Sequence, residues 1–332
     1  MPELRQNIAT NEWVIIATER AKRPEEFKKS KEKTPLPEFN ATCPFCPGNE
    51  GKTPPASLII SDGTKWAVRV MPNKFAALSP EGDRVRKFEG IKRSMAGVGI
   101  HEVIVETQKH NITTALLPED HIAKILSAYQ KRYQAVSQDT RMELIILFKN
   151  HGEAAGTSLE HPHSQLVATP IMPSGVRTRM NEAIRYFDVN GECVFCKMLQ
   201  EELRMQERVV LETDKFVSFI PYAAFSPFHI WTLPKRHTAS FGEIAQNEIT
   251  DLSVHLKSVL GRIYHGLGDP DFNYVVRSAN ANARASDYFH WYISIVPRLT
   301  KAAGFELGSG MFINIALPEQ SAQFLKNVSV PK

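Results

Sequence analysis

The segment SLEHPHSQLVATP, residues Ser158–Pro170, holds two histidines on either side of one proline. Because the ring of Pro162 locks its φ at about −65°, the backbone between His161 and His163 is stiff. Gln165 follows two residues after the second histidine, and its amide cannot titrate. The segment therefore predicts a site in which one imidazole is held in place and the other acts on a substrate.

The landmarks that surround this segment follow a definite order in the first half of the chain. A CxxC pair comes first, and a strand-like run rich in β-branched residues then ends at His110. A helical apolar pattern over residues 118–136 and a buried strand over 143–148 lead to His161. The periodicity of 3.6 in the first pattern and the short apolar run of the second support these assignments.

The second half of the chain repeats this order with little sequence identity. A second CxxC pair precedes a strand-like run that ends at His237, and a helical pattern over 247–264 and a strand over 272–276 lead to His290. The paired histidines are 51 residues apart in the first half and 53 in the second. The matched order and spacing predict a duplicated unit.

Hairpin-like runs outnumber alternating βαβ units, which favours an α+β fold with a mostly antiparallel sheet crossed by long helices. The strand pattern breaks in IMPSGVRTRMNEAIR, residues 171–185. We therefore predict two domains, residues 1–175 and 176–332.

Composition limits the classes of function. The 332 residues are 42% hydrophobic and 23% charged, as in soluble globular proteins. The start, MPELRQNIATNEW, lacks an apolar run of signal-peptide length, and no run of eighteen apolar residues occurs, so we expect a cytoplasmic protein without a membrane span. The net charge of +4 is mild, and the densest basic run, Lys22–Lys33, is interpreted as a solvated loop. Nucleic acid is not the favoured partner, whereas phosphate-bearing small molecules remain possible.

All four cysteines lie in the two CxxC pairs. A reducing compartment argues against disulfides, and thiolates beside histidines indicate metal sites, with zinc the first choice. The repeat predicts two Cys2His2 zinc sites: Cys43, Cys46, His110 and His161; and Cys193, Cys196, His237 and His290. Two alternatives remain at this point. His229 could replace one ligand of the second site, or all of these residues could be ordinary histidines and free thiols that bind no metal.

The two halves of the chain differ at the positions where a catalytic residue is expected. If His161 matches His290, then His163 matches Tyr292 and Gln165 matches Ser294. A neutral imidazole is a competent nucleophile near pH 7, so the first half is predicted to carry the reaction. The small residues of GEAAGTS, residues 152–158, offer backbone N–H groups and a hydroxyl for phosphate.

These motifs resemble those of the galactose-1-phosphate uridylyltransferase family, a branch of the histidine-triad superfamily. The shared motif is HPH followed by one residue and Gln, and the resemblance spans nearly the whole chain through EWVIIATERAKRP, CPFCPGNE, VRVMPNKF, the block from Asn150 to Gln165, and GFELGSGMFINIALPE. It implies two tandem histidine-triad-like half-barrel units. It also implies an enzyme that moves UMP between UDP-hexose and hexose 1-phosphate through a covalent nucleotidyl-histidine, with ping-pong kinetics.

The resemblance implies roles for individual residues. His163 is the nucleophile, and Gln165 hydrogen-bonds the transferring phosphoryl oxygens. The implied substrate contacts are Arg20 and Arg23 for phosphate or sugar, Asn73 for the nucleoside, Asn150, Gly156 and Ser158 for the phosphates, and Lys301 and Glu306 for the sugar. The last two lie in a tail that in this family can reach across a homodimer.

Other functions compete with this one. Ser164 inside the motif, Tyr292 in the second half, the CVFC pair and the GFELGSGMFIN tail are closer to a branch that acts as an ADP-glucose phosphorylase. A hydrolase of dinucleoside polyphosphates would carry a third histidine near Gln165, because an amide cannot supply a proton to a leaving group. A non-enzymatic zinc protein that binds nucleotides or nucleic acid predicts a concentrated basic stripe.

Overall fold

The computed structural model describes residues 1–28, 35–279 and 286–331. The basic run at 22–33 therefore lies partly outside the described residues. The strands are β1 (Glu3–Gln6), β2 (Trp13–Ile16), β3 (Leu58–Asp62), β4 (Lys65–Pro72), β5 (Arg86–Glu89), β6 (Lys92–Met95), β7 (Ile100–Val105), β8 (Leu144–His151), β9 (His163–Thr169), β10 (Val209–Glu212), β11 (Phe216–Phe219), β12 (Ile230–Pro234), β13 (Phe272–Arg277), β14 (Tyr292–Pro297) and β15 (Phe312–Asn314).

The helices are α1 (Glu119–Val136), α2 (Ser174–Asn190), α3 (Val194–Met205), α4 (Gln246–Leu267), α5 (Gly304–Ser309) and α6 (Pro318–Asn327). The helical patterns at 118–136 and 247–264 correspond to α1 and α4. The buried residues of α1 are spaced as one apolar stripe, Ile122, Ile125, Leu126, Ala128, Tyr129, Tyr133 and Val136. This stripe packs in the main core together with that of α4.

Ten strands form one antiparallel sheet in the order β10, β11, β12, β14, β13, β8, β9, β7, β4, β3. The sheet passes from one half of the chain to the other where β8 pairs with β13, with Phe148 opposite Val275. The predicted α+β fold, a mostly antiparallel sheet crossed by long helices, is confirmed. Over the described residues the sheet is open, with β3 and β10 at its edges.

A smaller sheet joins the two ends of the chain. Its order is β1, β2, β15, and β15 runs parallel to β2. Strands β5 and β6 form a separate hairpin.

The segment 171–185, read from the sequence as a break in the strand pattern, mostly becomes α2. Only Met180 and Ala183 of this helix are buried, so it carries a weak apolar stripe. Helix α3 follows directly and begins with the second CxxC pair. The predicted boundary after residue 175 falls inside α2, and the division into two domains stays a prediction.

The described residues contain no helix that combines the length and the apolar character needed to cross a bilayer.

A buried ion pair lies beneath β9, on the face of the sheet that the helices cover. It joins Lys149 on β8 to Glu106, which follows β7, and their side chains are 2% and 0% exposed. Thr114 donates a hydrogen bond to Glu106 at 2.9 Å, Tyr129 donates another at 3.0 Å, and Ser164 donates a third. Burial alone would raise the pKa of Glu106, but the Lys149 ammonium and these hydrogen bonds outweigh burial and lower it.

We expect Lys149→Met to lower the free energy of unfolding by about 3–5 kcal/mol, because it leaves the Glu106 carboxylate buried without a counter-charge. The double variant Lys149→Met/Glu106→Gln should regain most of this loss, since neither charge remains. Urea unfolding followed by circular dichroism measures both.

Lys92→Met is the matched control for this prediction. Lys92 is 77% exposed and pairs with Glu89 at 3.7 Å, so its loss should change the free energy of unfolding by about 0.5 kcal/mol or less. Equal changes in the free energy of unfolding for Lys149→Met and Lys92→Met would show that the buried ion pair contributes no more to stability than the exposed one.

Candidate active site

Strand β9 sorts the residues of the HPHSQ motif onto two faces of the sheet. Side chains alternate along a strand, so His163 and Gln165 share one face while Ser164 and Leu166 share the other. Leu166 is fully buried in the main core with α1. The imidazole and the amide are therefore presented on the face away from the helices.

The first predicted metal group is assembled from three separate segments. Cys43, Cys46, His110 and His161 are all buried, and one ligand atom from each lies within 4.8 Å of the others. The Nδ1 atoms of both histidines are 3.6 Å from Sγ of Cys46. Nε2 of His161 donates a hydrogen bond to the carbonyl oxygen of Thr107 at 2.8 Å, which fixes its ring.

This donor set fits a tetrahedral zinc ion. Zn–S and Zn–N bonds of about 2.3 and 2.0 Å at a tetrahedral angle place sulfur and nitrogen about 3.5 Å apart. The observed separations from Cys46 are 3.6 Å. Burial also lowers the pKa of His161 to about 4, so its imidazole is neutral at pH 7, as a metal ligand must be.

The second predicted group is partly formed. Cys193, Cys196 and His237 have ligand atoms within 4.8 Å of one another. His290 lies beside this trio, with Nδ1 3.8 Å from Sγ of Cys196. The hydrogen bond from Cys196 lowers the pKa of Cys193 to about 5, so one thiolate is ready for a metal.

The alternative ligand His229 lies outside the second group. Its Nε2 is 2.8 Å from Oγ of Ser294, and the indole N–H of Trp231 donates to the same nitrogen at 3.0 Å. The ring is buried among aromatic neighbours and is held by these two contacts.

His163 has the arrangement of a neutral nucleophile. Its Nδ1 is 2.8 Å from the carbonyl oxygen of His161, and a carbonyl only accepts, so Nδ1 carries the proton and Nε2 keeps its lone pair. Burial lowers the pKa of His163, which keeps the ring neutral at pH 7. The Phe45 ring packs edge-on against it, with centroids 5.3 Å apart.

The glycine-rich loop after β8 is held against the second half of the chain. Gly152 has φ +82°, and a Cβ there would lie 2.3 Å from Cγ of Asp271. The Asp271 carboxylate accepts a hydrogen bond from the backbone N–H of Ala154 at 2.8 Å. Gly156 has φ +86°, in the left-handed region that favours glycine. Glycine is therefore required at position 152, where the loop approaches Asp271 directly before β13.

Asn150, at the end of β8, is tied to the same contact. The amide of Asn273 on β13 donates to Oδ1 of Asn150 at 2.8 Å and to the carbonyl of Ala155 at 2.8 Å. Gly156 and Ser158 are exposed. The loop thus has a fixed base at Asn150 and exposed residues at Gly156 and Ser158.

His101 is a site residue that the sequence analysis missed. Its Nε2 lies 2.7 Å from Oε1 of Gln165 and 3.1 Å from Nδ2 of Asn73. Its Nδ1 accepts a hydrogen bond from the backbone N–H of Ala77 at 3.1 Å. The structure therefore brings the predicted residues Gln165 and Asn73 together through an imidazole that was not predicted.

A repeat signal for this residue was present in the sequence. His101 precedes the ligand His110 by nine residues, and His229 precedes His237 by eight. The duplicated order of landmarks thus includes one more histidine in each half.

The remaining predicted substrate residues lie at the small sheet. Arg20 and Arg23 are exposed in the segment after β2, and Lys301 is exposed before α5. The carboxylate of Glu306 accepts a hydrogen bond from the backbone N–H of Ala303 at 2.9 Å, at the start of α5. Pairing of β15 with β2 brings the arginine segment near this tail. In the described part of the chain, no hydrogen bond or ion pair joins these four side chains to His163 or Gln165.

Two family models match the chain, the N-terminal domain of galactose-1-phosphate uridyl transferase over residues 1–173 and the C-terminal domain over residues 179–329. The chain belongs to the galactose-1-phosphate uridyl transferase family. It is a nucleotidyltransferase, as the sequence predicted.

Individual relatives of this family align with nearly the full chain. ADP-glucose phosphorylase of Arabidopsis thaliana is 36% identical over 99% of this chain and 93% of its own length. Galactose-1-phosphate uridylyltransferase of Thermotoga maritima is 28% identical over 99% of both chains. The crystal structure of the Arabidopsis thaliana ADP-glucose phosphorylase with bound ADP-glucose superimposes with a TM-score of 0.85, at 33% identity and full coverage of both chains.

We expect Cys43→Ser to remove one equivalent of metal per chain and to destabilise the protein, because a serine hydroxyl is a poor substitute for a thiolate ligand. The melting temperature should fall by roughly 10 °C, which corresponds to a loss of about 2.5–5 kcal/mol at about 2–4 °C per kcal/mol in a domain of about 150–250 residues. Elemental analysis and thermal unfolding measure the two effects.

Cys193→Ser is the matched change in the second group, and it should remove the other equivalent of metal.

The affinity of folded Cys43→Ser protein for a nucleotide sugar should change little. A Cys43→Ser variant that keeps its full metal content and its melting temperature would contradict the assignment of this group.

Proposed function

We propose that this protein is a nucleotidylyltransferase of the galactose-1-phosphate uridylyltransferase type, acting through a covalent nucleotidyl-histidine at His163. The observation that carries the proposal is the hydrogen bond of 2.8 Å from Nδ1 of His163 to the carbonyl oxygen of His161. It leaves Nε2 with a lone pair on a neutral ring, and it connects the nucleophile to a residue of the first metal group.

The reaction has two balanced steps. Nε2 of His163 attacks the α-phosphorus of UDP-hexose, a P–N bond forms, the P–O bond to the β-phosphate breaks, and hexose 1-phosphate leaves. A phosphate oxygen of a second hexose 1-phosphate then attacks the same phosphorus, the P–N bond breaks, and the lone pair returns to His163. Holding the imidazole in one orientation lowers the barrier of both steps.

Polar groups beside His163 are suited to the phosphoryl oxygens. Gln165 follows on the same face of β9, and its amide N–H groups can donate to an oxygen that gains charge in the transition state. Asn150 and the rim of the loop at Gly156 and Ser158 offer further donors. Because an amide supplies no proton, the site favours transfer between phosphate leaving groups over hydrolysis by water.

Zinc is the metal proposed for both groups. Cys43, Cys46, His110 and His161 would hold the first ion, and Cys193, Cys196, His237 and His290 the second. When bound, the first ion would contribute structural rigidity to the segment that carries the nucleophile. The chemistry at the phosphorus is assigned to His163 and its polar neighbours.

Further parts of the proposal rest on the family resemblance alone. Arg20, Arg23 and Asn73 would contact the nucleotide sugar, and Lys301 and Glu306 would contact the hexose, across a homodimer if the tail reaches the other subunit. A cytoplasmic location, a role in galactose metabolism and the absence of a nucleic-acid partner complete the proposal.

ADP-glucose phosphorylase activity is the second candidate, with the same histidine, ADP-glucose as donor and inorganic phosphate as acceptor. The 36% identity to a protein of that name, against 28% to a galactose-1-phosphate uridylyltransferase, favours it. The TM-score of 0.85 with the structure that contains ADP-glucose also favours it. Both candidates share the first step, in which His163 takes a nucleoside monophosphate.

We expect His163→Gly to abolish nucleotidyl transfer, because the other imidazole of the motif, His161, is a predicted metal ligand and its Nε2 is hydrogen-bonded to the carbonyl oxygen of Thr107. Its metal content should stay at the wild-type value, since His163 is not a predicted ligand. Incubation with nucleotide sugar followed by mass spectrometry of the intact chain measures adduct formation. Turnover by His163→Gly at the wild-type rate would refute the assignment.

The donor is identified by the same adduct. Wild-type protein incubated separately with UDP-glucose and ADP-glucose should gain the mass of UMP or of AMP on the peptide that contains residue 163. Labelling by UDP-glucose supports the uridylyl reaction, and labelling by ADP-glucose supports the phosphorylase. Absence of an adduct with either donor would contradict both.

A further inference from the structure

His101 makes contacts that define which of its nitrogens carries the proton. The backbone N–H of Ala77 points at Nδ1 with a separation of 3.1 Å, and a backbone N–H can only donate. Nδ1 is therefore an acceptor, and in the neutral ring the proton lies on Nε2. That N–H then donates to Oε1 of Gln165 over 2.7 Å.

This hydrogen bond fixes the orientation of the Gln165 amide. If the amide were rotated by half a turn, its NH2 group would face the N–H of His101, and two donors would meet. With Oε1 held by His101, the NH2 group of Gln165 is turned away from His101 and is available to a ligand beside His163. In this tautomer the NH2 group of Asn73, 3.1 Å from Nε2, is not hydrogen-bonded to His101, because both groups are donors. Oδ1 of Asn73 accepts instead from the backbone N–H of Phe75 at 2.9 Å.

The second half of the chain has a histidine at the equivalent position, in the other neutral tautomer. Val103 is opposite Gln165 in the sheet, and Trp231 is opposite Ser294, so His101 and His229 occupy equivalent positions two residues earlier. His229 lies 2.8 Å from Ser294, as His101 lies 2.7 Å from Gln165.

The tautomers of these two histidines are opposite. Trp231 donates to Nε2 of His229, so that nitrogen is an acceptor and cannot donate to residue 294. Only the half with a nucleophilic histidine therefore places an N–H donor against the residue two positions after it.

We infer that His101 is a positioning residue, which holds the Gln165 amide so that its NH2 group faces the phosphoryl group transferred to His163. This inference rests on the proposed function for its kinetic consequence, while the tautomer and the amide orientation stand on the geometry alone. His101 acts through Gln165 and takes no part in bond making.

The kinetic test compares His101→Phe with His101→Gln. Phenylalanine keeps the ring and removes the donor, whereas the glutamine amide can place a donor near the position of Nε2. In single-turnover reactions, His101→Phe should slow adduct formation at His163 by roughly 10²-fold, with little change in the dissociation constant of the nucleotide sugar. His101→Gln should restore most of the rate.

A double-mutant cycle with Gln165→Ala tests whether His101 acts through the amide. Gln165→Ala should slow adduct formation by about 10²- to 10³-fold, and adding His101→Phe should cause no further loss. His229→Phe is the matched change in the second half, and it should leave the rate of adduct formation unchanged. Independent, additive losses, or a loss expressed only in the dissociation constant or in stability, would overturn the inference.

The tautomer has a readout that does not depend on activity. Long-range ¹H–¹⁵N spectra of histidine-labelled protein, assigned with His101→Phe, should show His101 as neutral with its proton on Nε2. A proton on Nδ1, or an imidazolium at pH 7, would overturn the inference even in a protein that forms no adduct. If the wild type forms no adduct but the tautomer is as inferred, the proposed function fails and the positioning geometry stands.

Discussion

The pairing of β9 with β7 and β8 is the constraint on which the site depends. Val105 opposes His163 and Val103 opposes Gln165, while Lys149 opposes Ser164 on the other strand. A shift of this register by one residue would bring the imidazole into the core and carry the buried serine to the open face. The ion pair beneath β9, through the hydrogen bond from Ser164 to Glu106, and the predicted first metal group, through His161, would act against such a shift, because both hold the same short segment.

Long, regular apolar patterns in the sequence predicted the helices well, whereas weaker patterns did not. Helices α1 and α4 were predicted within a few residues because each buries a regular apolar stripe. Helix α2 was missed because its segment was read only as a break in the strand pattern, although Val176, Met180, Ala183 and Phe187 have helical spacing. The sequence located the cysteines and histidines that lie together in the two candidate metal groups, since few residue types can bind zinc and the repeat related their spacing, while their use as ligands stays a prediction. His101 was not predicted, because the repeat offers one more histidine in each half but does not reveal its contact with Gln165, which depends on strand register.

The two halves of the chain share one arrangement of strands and helix but differ in the side chains at equivalent positions. In the second half, the position equivalent to His163 is taken by Tyr292, which is buried. Its ring lies 4.4 Å from that of Trp231 and 5.5 Å from that of Phe195, centroid to centroid. Aromatic packing thus fills the position that His163 occupies in the first half. The second half contributes instead through Asp271 and Asn273, which hold the glycine-rich loop of the first half.

The contact between β8 and β13 has a consequence for the origin of the chain. Phe148 is opposite Gln165 in its own half and Val275 is opposite Ser294, so these two residues are equivalent, and they also oppose each other. A pseudo-two-fold axis therefore passes between them, and the ladder is self-complementary, as in a symmetric dimer. A single ancestral copy would have exposed this strand as an unpaired edge, which a second identical copy could cover. Gene fusion would then have made that association permanent and freed one of the two reactive centres to diverge.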